Sequence, residues 1–187
     1  MSSHHKTETD LKQELQLIAA AKENPARFAA LYDRYYKPVF VFVHRRTGDE
    51  EITADITSQV FLKALINIGK YEFKGVPFSA WLFRIAFNEI NMYFRKSNAD
   101  RVVSLDRNGM IQIAQETEFG ENEEALVKMM NALKKLDETD IQLIELRFFE
   151  KNSFSDVGNI LGITENNAKV KVYRIIDKLK KIMGVIQ

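Results

Sequence analysis

Residues 153–181 read SFSDVGNILGITENNAKVKVYRIIDKLKK. The stretch breaks at Leu161-Gly162-Ile163 into a short helical pattern and a longer, basic one. Ser153 and Asp156 have the spacing of a capping box, in which two side chains satisfy the free N–H groups of a first helical turn. Gly162 can take the left-handed backbone that ends a helix abruptly, and Thr164 can cap the helix that follows. Val157, Ile160, Leu161, Ile163, Val172, Ile176 and Leu179 supply an apolar wedge that fixes two helices at a steep angle. This is a helix-turn-helix, and it puts the start of its second helix in a DNA major groove. Thr164, Glu165, Asn166, Asn167, Lys169, Lys171, Tyr173 and Arg174 lie at or near that start. Asn pairs with adenine edges, and Lys and Arg reach guanine or phosphate. An ordinary helical hairpin is the alternative.

The charge pattern points the same way. Lys169, Lys171, Arg174, Lys178, Lys180 and Lys181 face only Asp177 within 169–181, whereas 116–124 carries five glutamates and no basic residue. The net charge of +1 conceals this asymmetry. A basic helix is an electrostatic footprint for nucleic acid, although a charge run by itself equally describes a solvated helix face.

Upstream, apolar residues recur at helical spacing, and the reading predicts helices over 9–22, 25–46, 49–68, 78–96, 121–136, 137–149, 153–161 and 165–183. Pro25 suits a first turn, Pro38 should kink or split its helix, and Thr47 with Glu50 has capping-box spacing. The expected architecture is all-α: two small helical domains, 1–97 and 121–187, joined by a flexible linker over 98–120. That linker lacks sustained periodicity and contains Gly109 and Gly120.

Two N-terminal segments carry further surfaces. In ITADITSQVFLKALINI, 52–68, Asp55, Gln59, Leu62 and Ile66 share a mixed face suited to a helical partner; a bundle helix buried all round is the alternative. In PFSAWLFRIAFNEINMYFRKS, 77–97, Trp81, Arg84, Asn88, Asn91 and Arg95 form a stripe of hydrogen-bonding groups. The segment before it holds Phe73 and Lys74, and Phe78 follows. Rings stack on unpaired bases and cations hold phosphates, but Trp81 and Phe78 also read as core.

Composition narrows the function. Charged residues make up 28% and hydrophobic ones 45%, as in a core-forming soluble protein. There is no apolar run long enough to span a bilayer and no secretory signal, so a cytoplasmic protein without membrane insertion is expected. The chain has no cysteine, and its only histidines are His4, His5 and His44. No metal, no cofactor and no catalytic residue are assigned; a nucleophile–base pair and a phosphate loop are missing from the sequence, so the chain reads as a binding protein rather than an enzyme.

These segments together resemble the sigma-70 family, in its extracytoplasmic-function branch. LYDRYYKPVFVFVHRRTGDEE looks like the opening of conserved region 2. ADITSQVFLKA is similar to the polymerase-binding motif, with Asp55, Gln59, Val60 and Phe61 at matching positions. FSAWLFRIAFNEINMYFRK resembles the promoter-melting segment, and LKKLDETDIQLIELRFFEKNSFSDVGNILGITENNAKVKVYRIIDKL resembles region 4. The resemblance implies an adaptor that brings core RNA polymerase to promoter DNA. Asp55, Gln59, Phe61, Leu62 and Ile66 would dock on polymerase. Phe73, Lys74, Phe78, Trp81, Arg84, Asn88, Asn91 and Arg95 would take bases flipped from the −10 element, and the C-terminal helix would read the −35 duplex. The free protein is expected to be a monomer, with an anti-sigma factor as the inhibitor common in the branch. Two departures stand out: Asn166-Asn167-Ala168 replaces the frequent Gly-Thr-Val, and Val157-Gly158 replaces Ile-Ala. Gly158 costs about 1 kcal/mol of helix propensity against Ala, which implies close packing there. The rival readings are a stand-alone helix-turn-helix regulator and a helical protein-interaction module.

Overall fold

The computed structural model describes residues 8–73, 77–97, 107–120 and 122–185. His4, His5 and Lys74 fall outside them. The described residues are helical and divide into two compact units, one within 5–103 and one within 104–187.

The N-terminal unit has four main helices: α1 (Glu8–Glu23), α2 (Ala29–Thr47), α3 (Glu50–Asn67) and α4 (Phe78–Ser97), with single 3-10 turns at Pro25–Phe28 and Ile68–Lys70. Leu31, Val39, Val43, Val60, Ala64, Phe78, Leu82, Ala86 and Ile90 are fully buried and make the core of α2, α3 and α4. Pro38 does not split its helix, because α2 runs unbroken through it. Pro38 lies on the exposed side, where water can satisfy the carbonyl that loses its partner. The start of α3 also differs from expectation. Asp49, not Thr47, is the cap, and its carboxylate accepts from the Ile52 N–H at 2.8 Å. Thr47 is the last residue of α2, and its hydroxyl bonds Val43 O and Thr53 Oγ1. Gly48 at φ 66° ends α2, so the cap falls one residue beyond it.

The C-terminal unit comprises α5 (Arg107–Thr117), α6 (Glu123–Leu133), α7 (Glu138–Ile144) continued by one π-turn (Glu145–Phe149), α8 (Phe154–Leu161) and α9 (Glu165–Met183). Here the expected linker is corrected. Residues 107–117 are a helix built into this unit, with Met110, Ile113, Ala114 and Thr117 buried against α6, the π-turn and α9. Gly109 allows the approach: a Cβ there would sit 2.3 Å from the Phe149 ring. The stretch 98–106 lies outside the described residues.

A fully buried Ile contributes about 1.5–3 kcal/mol. A fragment 104–187 should therefore be more stable than 121–187 by about 2 kcal/mol, on the order of 10 °C in thermal midpoint. Equal midpoints for the two fragments would show that α5 adds nothing to the fold.

Candidate nucleic-acid interface

In the C-terminal unit, the Ser153 Oγ accepts from the Asp156 N–H at 3.1 Å, and the Asp156 carboxylate accepts from the Ser153 N–H at 3.2 Å, completing the capping box. Gly162 at φ 73° closes α8, and the Ile163 N–H returns to Gly158 O at 2.8 Å. A Cβ on Gly158 would lie 2.8 Å from Ile163 O and 3.2 Å from Glu165 N, so α8 and the start of α9 meet backbone to backbone. Thr164 caps α9 by accepting from the Asn167 N–H at 3.2 Å. The opposite face of α9 buries Ala168, Val172, Ile175, Ile176 and Leu179.

That burial sets what α9 presents. Glu165, Asn166, Asn167, Lys169, Tyr173 and Arg174 are exposed, and Lys171 is half-buried. The Tyr173 ring lies 6.1 Å from that of Phe154, which has the Arg147 guanidinium 4.7 Å above it. Sequence reasoning missed Val170, which is 40% exposed in the middle of this face. The signal was its place four residues after Asn166 and four before Arg174. Lys178 is committed within the unit: it bridges Asp140 at 2.7 Å and Asp137 at 3.2 Å. Hydrogen bonds to Asp140 and then Asp137 raise its pKa, and the Asp140 N–H, with Lys178 behind it, lowers that of Asp137.

In the N-terminal unit, α3 turns Thr53, Ile56, Thr57, Val60, Phe61 and Ala64 inward. Asp55 and Gln59 are exposed, as are Leu62 at 50% and Ile66 at 69%. Phe61 is therefore not on that surface. It is 4% exposed, with its ring 4.8 Å from that of Tyr32, because it lies one residue round the helix from Val60 on the buried side.

On α4, Arg84, Asn88 and Arg95 are exposed and Asn91 and Trp81 half-buried, so the polar stripe is one surface. Phe78 is corrected: it is fully buried in an aromatic cluster with Tyr35, Tyr71 and Trp81, at ring separations of 5.1–5.6 Å. Phe73, before α4, is 39% exposed. Burial and, secondarily, the Glu14 carboxylate push the Tyr71 phenol up to about 12, so it stays neutral at physiological pH. Between α3 and α4 lies an open cleft of about 360 Å³ lined by Lys63, Asn67, Lys70, Trp81, Asn88 and Glu89. Lys63 spans it to Glu89 at 2.6 Å. Sequence reasoning missed Lys63, Asn67 and Lys70, whose i, i+4, i+7 spacing was the available signal.

Comparison with known families decides what these two units are. Residues 31–99 match the Sigma-70 region 2 family model and residues 132–181 match that of Sigma-70 region 4. The chain belongs to the sigma-70 family. Within it, this sigma factor is of the extracytoplasmic-function type, acting with RNA polymerase and promoter DNA to initiate transcription. Its relatives include the ECF RNA polymerase sigma factor BldN of Streptomyces coelicolor, 28% identical over 182 residues that cover 94% of this chain and 68% of BldN. The ECF RNA polymerase sigma factor SigW of Bacillus subtilis is 25% identical, with 82% and 87% covered. The fold is shared with CnrH, solved in complex with the cytosolic domain of CnrY, at a TM-score of 0.56 and 19% identity over 93% of this chain and 99% of that one. It is also shared with the sigma factor RpoE, solved with the anti-sigma factor NepR from Bartonella quintana, at 0.51 and 18% over 86% and 98%. A sigma factor is an initiation factor, not an enzyme. Among the described residues, no helix is long and apolar enough to cross a membrane and no acidic, His or Cys cluster suits a metal.

Proposed function

We propose that three surfaces divide the work of this sigma factor. Asp55, Gln59, Leu62 and Ile66 on α3 dock on core polymerase. Phe73, the cleft beside Trp81, and Arg84, Asn88, Asn91 and Arg95 on α4 take the non-template strand of the −10 element. Asn166, Asn167, Lys169 and Val170 on α9 read base edges of the −35 duplex, while Lys171 and Arg174 serve bases or phosphates. The observation that carries this reading is the backbone contact at Gly158, which holds α8 across the capped start of α9 and leaves its first turns projecting. Val170 in the middle of that face suits a thymine methyl group.

The reading makes base contacts and phosphate contacts separable. Asn166→Ala and Asn167→Ala should each cost about 1–3 kcal/mol at one promoter position and relax preference there. Where Lys171 or Arg174 holds a phosphate, its replacement by Ala should weaken all sequences alike and flatten the salt dependence by about one unit. Binding of holoenzyme to duplexes randomised over the −35 region, at several salt concentrations, reads both. Unchanged preference in Asn166→Ala, Asn167→Ala and Lys169→Ala together would remove α9 from promoter reading.

The RpoE–NepR pair, a sigma factor of this fold bound to an anti-sigma factor, supports a further element of the reading, control by an anti-sigma factor. All of this work belongs in the cytoplasm.

A further inference from the structure

Helix α1 matches none of the three surfaces, yet it makes two polar ties to the residues from which the −10 aromatics hang. The first is a buried carboxylate. Glu14 is fully buried, accepts from the Tyr35 hydroxyl, and accepts from the Phe78 N–H at 3.3 Å. Phe78 opens α4, so Glu14 gives an acceptor to one of the N–H groups that the first turn of that helix leaves free. The second tie is Lys22, near the other end of α1, whose ammonium donates to Tyr71 O at 2.6 Å. Phe73 lies two residues after Tyr71, and Trp81 lies three residues after Phe78. The Tyr71 ring packs on both Phe78 and Trp81 at 5.1 Å, while its hydroxyl is buried without a hydrogen-bond partner among the described residues. The ring is thus held by packing, and Lys22 is the cation that fixes its backbone.

We propose that α1 is a positioning element for −10 recognition: Glu14 and Lys22 hold Phe78 and Tyr71, and so set where Trp81 and Phe73 meet the unpaired base. Neither residue touches DNA. They act through the two backbones they hold, as a displacement of about 1 Å in a supporting group is enough to impair a preorganised site. Glutamine at 14 can still accept from the Phe78 N–H while its amide donates to Tyr35, so geometry rather than charge is the requirement. The proposal rests on the −10 assignment above.

The test uses the full-length protein with core polymerase and fork-junction DNA whose −10 sequence was selected from a randomised pool by the wild-type holoenzyme. Discrimination against single −10 base changes is measured for Glu14→Leu, Glu14→Gln and Lys22→Met, with Phe73→Ala and Trp81→Ala as comparators. Expected are a fall of about tenfold for Glu14→Leu, about threefold for Lys22→Met, and near wild-type values for Glu14→Gln, with core-polymerase affinity and −35 preference unchanged in all. A merely structural role would lower core affinity and −10 discrimination together, and that result overturns the proposal. So does wild-type discrimination in Lys22→Met, which alters an exposed side chain and stays testable even if Glu14→Leu fails to fold. If Phe73→Ala and Trp81→Ala also leave discrimination intact, the −10 assignment itself is at fault and the role of α1 falls with it. If only they alter it, the assignment stands and α1 is uninvolved.

Discussion

Replacing Leu62 and Ile66 together with aspartate should lower affinity for core polymerase by about 100-fold, about 2.7 kcal/mol, with little change in stability. Both side chains are at least half exposed in the free protein, so the fold asks nothing of them. Large apolar side chains left in water on one face of a helix are what a partner's helix buries, and a few such residues dominate an interface. Aspartate removes that apolar burial and adds charges that must be desolvated. Phe61→Ala is the contrasting variant. Its ring is buried beside Tyr32, so the substitution should cost about 3–5 kcal/mol of stability. Titration of labelled protein with core polymerase, beside thermal unfolding, separates the two effects. Binding within threefold of wild type by a folded Leu62→Asp/Ile66→Asp protein would show that polymerase docks elsewhere.

The second large effect is expected at Gly158, and its sign is diagnostic. Alanine in a helix interior ordinarily stabilises by about 1 kcal/mol relative to glycine. Here the added methyl would stand 2.8 Å from a backbone carbonyl, which cannot swing aside as a side-chain tip does. Gly158→Ala should therefore destabilise the C-terminal unit. Gly158→Val should cost about 3 kcal/mol or more by forcing α8 from the start of α9. Loss of −35 binding should accompany it, while the α3 face of the other unit still docks. A rise in thermal midpoint for Gly158→Ala would mean that the two backbones do not touch.

Much of this was legible in the sequence. The capping box at Ser153, the turn at Gly162 and the cap at Thr164 are local devices, each set by residues within four positions of one another, and each forms as read. The polar stripe from Trp81 to Arg95 is likewise a matter of spacing along one helix. What failed was longer in range. Helix α5 has its apolar residues packed into 110–114 and a glycine inside it, too short a pattern to show a period. Its stability comes from Phe149 and the other side chains it packs on in α6 and α9. Phe61 and Phe78 show a different limit. A family motif marks the helix on which a residue sits, and only packing shows which way an aromatic on that helix turns. Lys63, Asn67 and Lys70 were missed because the cleft they line needs α4 opposite them.

The place of α5 also bears on promoter geometry. Ser97 ends α4, the last helix of one unit, and Arg107 opens α5, the first helix of the other, ten residue steps on, a contour of at most about 36 Å. Were α5 not part of the second unit, the same measure would run to Glu123, roughly 90 Å. A shorter tether raises the effective concentration of the second module at its element once the first is bound, and it lowers the penalty for joining the two events. It also reduces tolerance. One added base pair shifts the far element by about 3.4 Å and turns it by about 35° around the duplex axis, so a short contour is exhausted within a few base pairs where a long one would follow. On the proposed division between a −10 and a −35 module, folding α5 into the second unit would exchange promoter latitude for avidity.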